Sequence, residues 1–199
     1  MTPRGALIAF EGLDQSGKQT QARRLRGRLE AVGRRVRALT FPNYETPLAN
    51  EIARALAGDR DYAADVLQLL FVANRYESRP RIEHWVDEGV VVICDRYLAS
   101  SVAYGAAQGL DPAWLFEVQR GLPQPDLTLL LDIPPDTAVK RKAMGRDRFE
   151  RDLDLLTRVR AAYRAQSERP AWVCLDGDRP ADEVELDVVR IVRERLGLL

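Results

Sequence analysis

Short apolar runs alternate along the chain with longer stretches in which apolar residues return every three or four positions. Ala6 to Phe10 is continuously apolar and ends at a glycine turn; a helix-compatible stretch follows to Ala31, with Gly33 placed to stop it. Val36 to Phe41 reads as a second strand closed by Pro42, and Leu48 to Leu56 as a helix stopped by Gly58. From Ala63 to about Trp85 the spacing predicts one long, partly buried helix carrying Val66, Leu67, Leu70 and Phe71. Val90 to Cys94 and Leu127 to Leu131 are unbroken apolar runs, as expected of strands covered on both faces. Asp111 before Pro112 reads as a helix cap with proline in the first turn, and Pro134-Pro135-Asp136 opens another helix. Phe149, Leu153, Leu156, Val159 and Tyr163 share one helical face, Trp172 to Leu175 supplies a last strand, and Pro180 starts a terminal helix. Strands separated by helices imply parallel pairing with right-handed crossovers, hence a three-layer α/β sheet.

At 199 residues the chain suits one domain spanning 1–199, with no repeat, low-complexity tract or linker. The stretch from Lys140 to Arg148 is charged and poor in apolar residues, which suits a flap over about 140–148 rather than a second domain. Thirty basic side chains balance thirty acidic ones, so a generally basic nucleic-acid binder is not expected. The arginine-rich stretch from Arg23 to Arg37 spreads over several helix faces and the following loop, without an interleaved aromatic platform, and reads as a solvated surface. No apolar run approaches the ~20 residues that span a bilayer, and the start of the chain leads straight into a strand without a secretory pattern. A cytoplasmic protein with no membrane partner is the expectation. Cys94 and Cys174 both lie in apolar runs and read as reduced core residues, while the single histidine, His84, reads as a helix-surface residue.

The chemistry concentrates at Gly12-Leu13-Asp14-Gln15-Ser16-Gly17-Lys18, which has the phosphate-loop spacing of glycine, four residues, glycine and lysine. The segment follows a strand and opens a helix, where backbone N–H groups can surround phosphate oxygens and Lys18 can offset charge on the terminal phosphates. A glycine turn with an exposed lysine would share the spacing, but register, context and lysine agree on a nucleotide. Gln19 stands where a serine or threonine hydroxyl usually meets Mg²⁺, and the hydroxyl comes one place later at Thr20. An amide is a poor ligand for a small, strongly hydrated cation. The ion would then depend on phosphates, water and a carboxylate. Asp95, directly after the strand ending at Cys94, is the candidate, since strand C-termini line the ligand crevice of a parallel sheet. Helix capping or pairing with Arg96 would be its structural alternative.

Several further segments carry a resemblance. Phe10 to Lys18, Asp95-Arg96-Tyr97-Leu-Ala-Ser100-Ser101-Val-Ala-Tyr104, Asp147-Arg148-Phe149-Glu150, Phe41-Pro42-Asn43-Tyr44, Phe71 with Arg75, and Leu175-Asp-Gly resemble the thymidylate kinases, in the family's order and over nearly the whole chain. The resemblance implies a P-loop nucleoside-monophosphate kinase fold with a five-stranded parallel sheet and a short lid. It also implies transfer from ATP to dTMP, giving ADP and dTDP, with Mg²⁺ and usually in a homodimer. Within it, Phe71 stacks on thymine and Arg75, four residues on and so on the same helical face, contacts the base; by itself Phe71 would fit core packing equally well. Arg96 holds the acceptor phosphate, Asp14 faces the sugar, and Tyr104 limits space at the 2′ position. Ser100, Ser101 and Gln108 are weaker candidates for base or sugar contacts. Phe41 and Tyr44 form the wall after the second strand, in a loop where many family members carry an arginine that is absent here between Phe41 and Thr46. Arg141 resembles the arginine that stacks on adenine.

Some family members place a catalytic arginine inside the phosphate loop, where this chain has Gln15. Phosphoryl transfer needs positioning and positive charge more than covalent help, so the missing charge is assigned to Arg146 in the flap, with Lys142 second and Arg148 beside them. Two alternatives stay open on sequence alone: a P-loop kinase acting on another nucleoside monophosphate or on a deoxynucleoside, and a nucleotide-binding regulatory domain without catalysis, to which Gln15 and Gln19 lend weight. A deoxynucleoside acceptor would need a base to take its hydroxyl proton, whereas a monophosphate already offers an anionic oxygen; Arg75 and Arg96 suit the second.

Overall fold

The computed structural model describes residues 4–141 and 152–199. Lys142, Arg146, Arg148 and the rest of the Asp147-to-Glu150 motif lie outside the described residues, and with them most of the expected flap. Five strands, β1 (Leu7–Glu11), β2 (Val36–Thr40), β3 (Val91–Asp95), β4 (Leu127–Asp132) and β5 (Trp172–Asp176), form one sheet in the order β2-β3-β1-β4-β5. Every pairing is parallel, with Phe10 opposite Asp95 on one side and Leu129 on the other. The helices are α1 (Lys18–Ala31), α2 (Leu48–Ala57), α3 (Ala64–Asp87), α4 (Leu98–Ala107), α5 (Pro112–Glu117), α6 (Pro135–Arg141), α7 (Leu153–Gln166) and α8 (Ala181–Leu196).

Alternation along the strands divides the core. Ile8 and Phe10 of β1, Val91 and Ile93 of β3, and Leu127, Leu129 and Leu131 of β4 face a cluster closed by Leu25 and Leu29 of α1 and Val188 and Ile191 of α8. Leu7, Ala9, Val92 and Cys94 point the other way, against Ile82 and Val86 of α3, and Leu130 joins α4 and α7. The central strands are buried on both sides because each face meets helices, which is why they read as unbroken apolar runs. The Asp111 carboxylate accepts from the Ala113 N–H at 2.9 Å, the cap expected there.

One helix was not predicted, and two expectations need correction. Helix α4 carries no stripe in its sequence: small and apolar residues bury it almost all round, so there is no polar face to give a helical period. Cys174 is exposed on the edge strand β5, and only Cys94 belongs to the core; both are free thiols. On α3, Val66 is exposed while Leu67 is buried, and the helix continues through Pro80 to Asp87. The arginines after the phosphate loop are held by acidic partners: Arg24 meets Asp182 and Glu185, Arg28 meets Glu185, and Arg26 meets Glu30. Much of that stretch serves the seam between α1 and α8.

Candidate active site

The loop between β1 and α1 sits at the C-terminal edge of the central strand. Gly12 has a φ of 136°, and a Cβ placed on it would stand 2.4 Å from the Leu131 carbonyl oxygen, so the loop needs glycine there for close approach to β4. Gly17 caps α1 with φ 96°, and Gln15 takes φ 64°, unusual for a residue with a side chain. The Lys18 amine is buried and donates to the Leu13 carbonyl at 2.7 Å. Burial, with Arg96 nearby, lowers its pKa to about 8, against the opposing pull of Asp14, Asp95 and Glu11. Its charge is therefore kept by a balance, and a nearby anion shifts that balance toward the ammonium form.

Arg96 follows β3 in the left-handed region at φ 65°, its N–H bonded to the Phe10 carbonyl at 2.9 Å. That turn aims the guanidinium across the loop. Nη2 donates to Asp14 Oδ1 at 2.7 Å and lies 3.5 Å from the Tyr104 hydroxyl; Nη1 meets the Ser100 Oγ and the Tyr163 hydroxyl, each at 3.2 Å. Burial opposes its charge, but Asp14, Tyr104 and Tyr163 hold its pKa well above the usual arginine value. The arrangement is a fixed, permanently charged fork, suited to phosphate recognition.

Glu11 underpins it. This fully buried carboxyl accepts from the Tyr97 N–H at 2.8 Å, the Ser100 N–H at 3.3 Å, the Ser100 hydroxyl at 2.7 Å and the Tyr163 hydroxyl at 3.0 Å. A strand residue thus caps a helix eighty-odd positions later, where an acidic group is favoured.

Two clefts meet at this point. One is lined by Asp14, Gln15 and Gly17 to Thr20 of the phosphate loop together with Thr40, Asp95 and Arg141. The other is lined by Tyr44, Leu56, Gln68, Phe71, Arg75, Ser100, Ser101 and Tyr104. Asp14, Phe41 and Arg96 belong to both. Arg75 is 3% exposed and donates to the Ser101 hydroxyl at 2.8 Å, with its guanidinium 5.9 Å from the Phe41 ring centre. Burial lowers its pKa to about 10, still charged at neutral pH. The wall loop is pinned by Asn74, whose amide meets Asn43 and the Thr46 hydroxyl and whose carbonyl accepts from the Asn43 N–H at 2.7 Å. Arg141 spans the mouth of the first cleft: Nη1 donates to the Gln15 and Gly177 carbonyls, each at 3.1 Å, and Nη2 pairs with Asp178 at 3.0 Å.

Most of the residues singled out in the sequence converge on these clefts. Gln108 does not line either; its amide donates to the Tyr104 carbonyl at 2.8 Å. Gln19 is exposed at the first cleft, and Thr20 lines it too. Glu11, Gln68, Asn74 and Tyr163 were not singled out for the site. Glu11 stands inside the Phe10-to-Lys18 motif, whereas the burial of Gln68 and the long-range hydrogen bonds of Asn74 and Tyr163 leave no local signal.

Comparison with known proteins agrees with this geometry. The family model described as "Thymidylate kinase" matches residues 10–188. A thymidylate kinase of Arabidopsis thaliana is 35% identical over 194 residues, covering 98% of this chain and 73% of that one. The Homo sapiens thymidylate kinase is 34% identical over 193 residues, covering 96% and 91%. A solved thymidylate kinase from Candida albicans, whose title speaks of broad substrate specificity, superposes with a TM-score of 0.88 at 29% identity, over 98% of this chain and 94% of that one. With the family model spanning most of its length and relatives at 34% and 35% identity covering nearly all of it, the chain belongs to the thymidylate kinase family.

Proposed function

We propose a division of labour by which this kinase phosphorylates dTMP at the expense of ATP. The observation that carries it is the junction: Asp14, Phe41 and Arg96 line both clefts, so an acceptor phosphate and a donor γ-phosphate brought to that junction would lie side by side. The base lies over Phe71 with Arg75 at its edge, and the sugar lies between Asp14 and Tyr104. Ser100 and Ser101 act chiefly by holding Arg96 and Arg75, as their hydrogen bonds suggest. Arg96 takes the acceptor phosphate and keeps its in-line approach. The backbone of residues Gly12 to Lys18 and the Lys18 amine take the ATP phosphates, and Arg141, its guanidinium fixed by two carbonyls, offers a flat cation to adenine. Positive charge on the transferring group is assigned to Lys18, Arg96 and, from sequence, Arg146.

Mg²⁺ fits this donor set at Asp95, whose Oδ1 is buried with no hydrogen-bond partner among the described residues. No group of three or more His, Cys, Asp or Glu among the described residues could enclose a metal. The ion would therefore be held mainly by phosphate oxygens and water, the usual habit of magnesium in nucleotide sites. When bound it neutralises phosphate charge. The reading further takes the enzyme as a cytoplasmic homodimer. The exposed Val66 and Leu69 on α3 support a partner surface, and no described helix is long and apolar enough to cross a membrane.

Initial rates of ADP formation with dTMP, dUMP, dCMP and thymidine test the substrate. The expected order places dTMP first and thymidine at background. A clear preference for thymidine would overturn the acceptor-phosphate role of Arg96, and ATP binding without dTMP-dependent ADP release would leave a regulatory domain.

A further inference from the structure

We propose that Gln68 reads the acceptor base, its carboxamide oxygen accepting from the ring N3–H and its amide donating to a carbonyl oxygen beside it. The inference rests on the base lying in the Phe71–Arg75 cleft, as argued above.

Gln68, Phe71 and Arg75 stand three and four residues apart on α3, so they share one face, and all three line the same cleft. Gln68 is 1% exposed, yet neither Oε1 nor Nε2 has a hydrogen-bond partner among the described residues. Buried polar groups are normally paired, and an unpaired one weakens the fold. The neighbouring buried amide obeys that rule: Asn74, six residues along α3 from Gln68, has both its atoms engaged. The orphaned amide is also positioned deliberately. Gly105 of α4 lies against its stem, and a Cβ there would come within 3.3 Å of Gln68 Cγ.

An acceptor beside a donor on one planar group complements a donor beside an acceptor on another, the pattern by which glutamine and asparagine read base edges. Thymine and uracil present N3–H between two carbonyls. Arg75, a donor only, can serve a carbonyl but never the N3–H, and its own Nε is likewise unpartnered. Gln68 supplies the acceptor that this imide edge requires, in a cleft whose other charged fork, Arg96, is already engaged with Asp14, Ser100 and Tyr163.

The test is steady-state kinetics at saturating ATP with dTMP, dUMP and 3-methyl-dTMP, for the unaltered enzyme, Gln68→Met and Phe71→Ala. Gln68→Met should raise KM for dTMP and dUMP alike by ~10–100-fold with kcat within ~3-fold, since a buried hydrogen-bonding pair is lost. The 3-methyl compound, already a poor substrate for want of the N–H, should change by less than ~3-fold. An unchanged KM for dTMP, or equal losses for dTMP and 3-methyl-dTMP, would overturn the proposal. Thermal unfolding supplies a second readout: without nucleotide, Gln68→Met should melt at or above the unaltered protein, because an apolar chain of similar shape replaces two unpaired polar atoms. A lower melting point would mark the amide as a packing element and count against it. Phe71→Ala separates the premises. If it raises KM while Gln68→Met does not, Gln68 alone is excluded; if neither does, the cleft is not the base site.

Discussion

Lys18 holds its amine proton at a pKa of about 8, chiefly because burial penalises the ammonium form. Anionic phosphate oxygens beside it would favour that form and draw the pKa back up. Between about pH 8 and the ordinary lysine value, ATP binding should therefore take up a proton at Lys18, and ATP affinity should fall as pH rises through this window. Calorimetric titrations at pH 8.5 in two buffers of different ionisation enthalpy would report the uptake; equal heats would refute it. The folded chain alone shows the opposite trend. Its lysine releases a proton more readily than the unfolded lysine, so this group makes stability rise with pH between about 8 and 10.5. Gly12 makes a second test at this scale. Gly12→Ala would press a methyl onto the Leu131 carbonyl and should destabilise by on the order of 2–4 kcal/mol, measured by urea unfolding, with loss of ATP binding. Both residues were legible in the sequence because a phosphate loop is local, with spacing and chemistry in seven consecutive positions. Gln68 was not, since an unpaired amide exists only once α4 has packed over it.

Helix α4 depends on a residue of another element. Its first turn has no capping side chain of its own, and Glu11 of β1 accepts from Tyr97 and Ser100 there while also holding the Tyr163 hydroxyl of α7. Glu11→Gln replaces part of an acceptor-only group with an amide donor facing four donors. It should cost about 2–3 kcal/mol in urea unfolding, the range of a charge-assisted hydrogen bond lost in the interior. Because Ser100 and Tyr163 also position Arg96, kcat/KM for dTMP should fall with it. An unchanged midpoint would mean that α4 is held by packing alone. The strands and most helices could be read from periodicity, whereas α4 could not. A helix buried almost all round has no polar face, so periodicity predicted no element between β3 and α5.

Across the molecule, the strand order puts β1 at the centre, flanked by β3 and β4, and so gathers Glu11, the phosphate loop and the Asp95–Arg96 turn at one sheet edge. That gathering follows from parallel topology, and the alternation of strand and helix forecast it. The forecast stopped at the clefts' walls, since the contacts of Arg141 with Gln15 and Gly177 and of Tyr163 with Arg96 join segments far apart in the chain. The Asp14–Arg96 pair, shared by both clefts, makes the two substrates thermodynamic neighbours. Whatever factor dTMP imposes on the dissociation constant of an ATP analogue, the analogue must impose on dTMP. That factor should depart from one in the unaltered enzyme and return toward one in Arg96→Gln, as read by titrating each ligand with and without the other. A single ion pair, in this view, sets the cooperativity of a two-substrate enzyme.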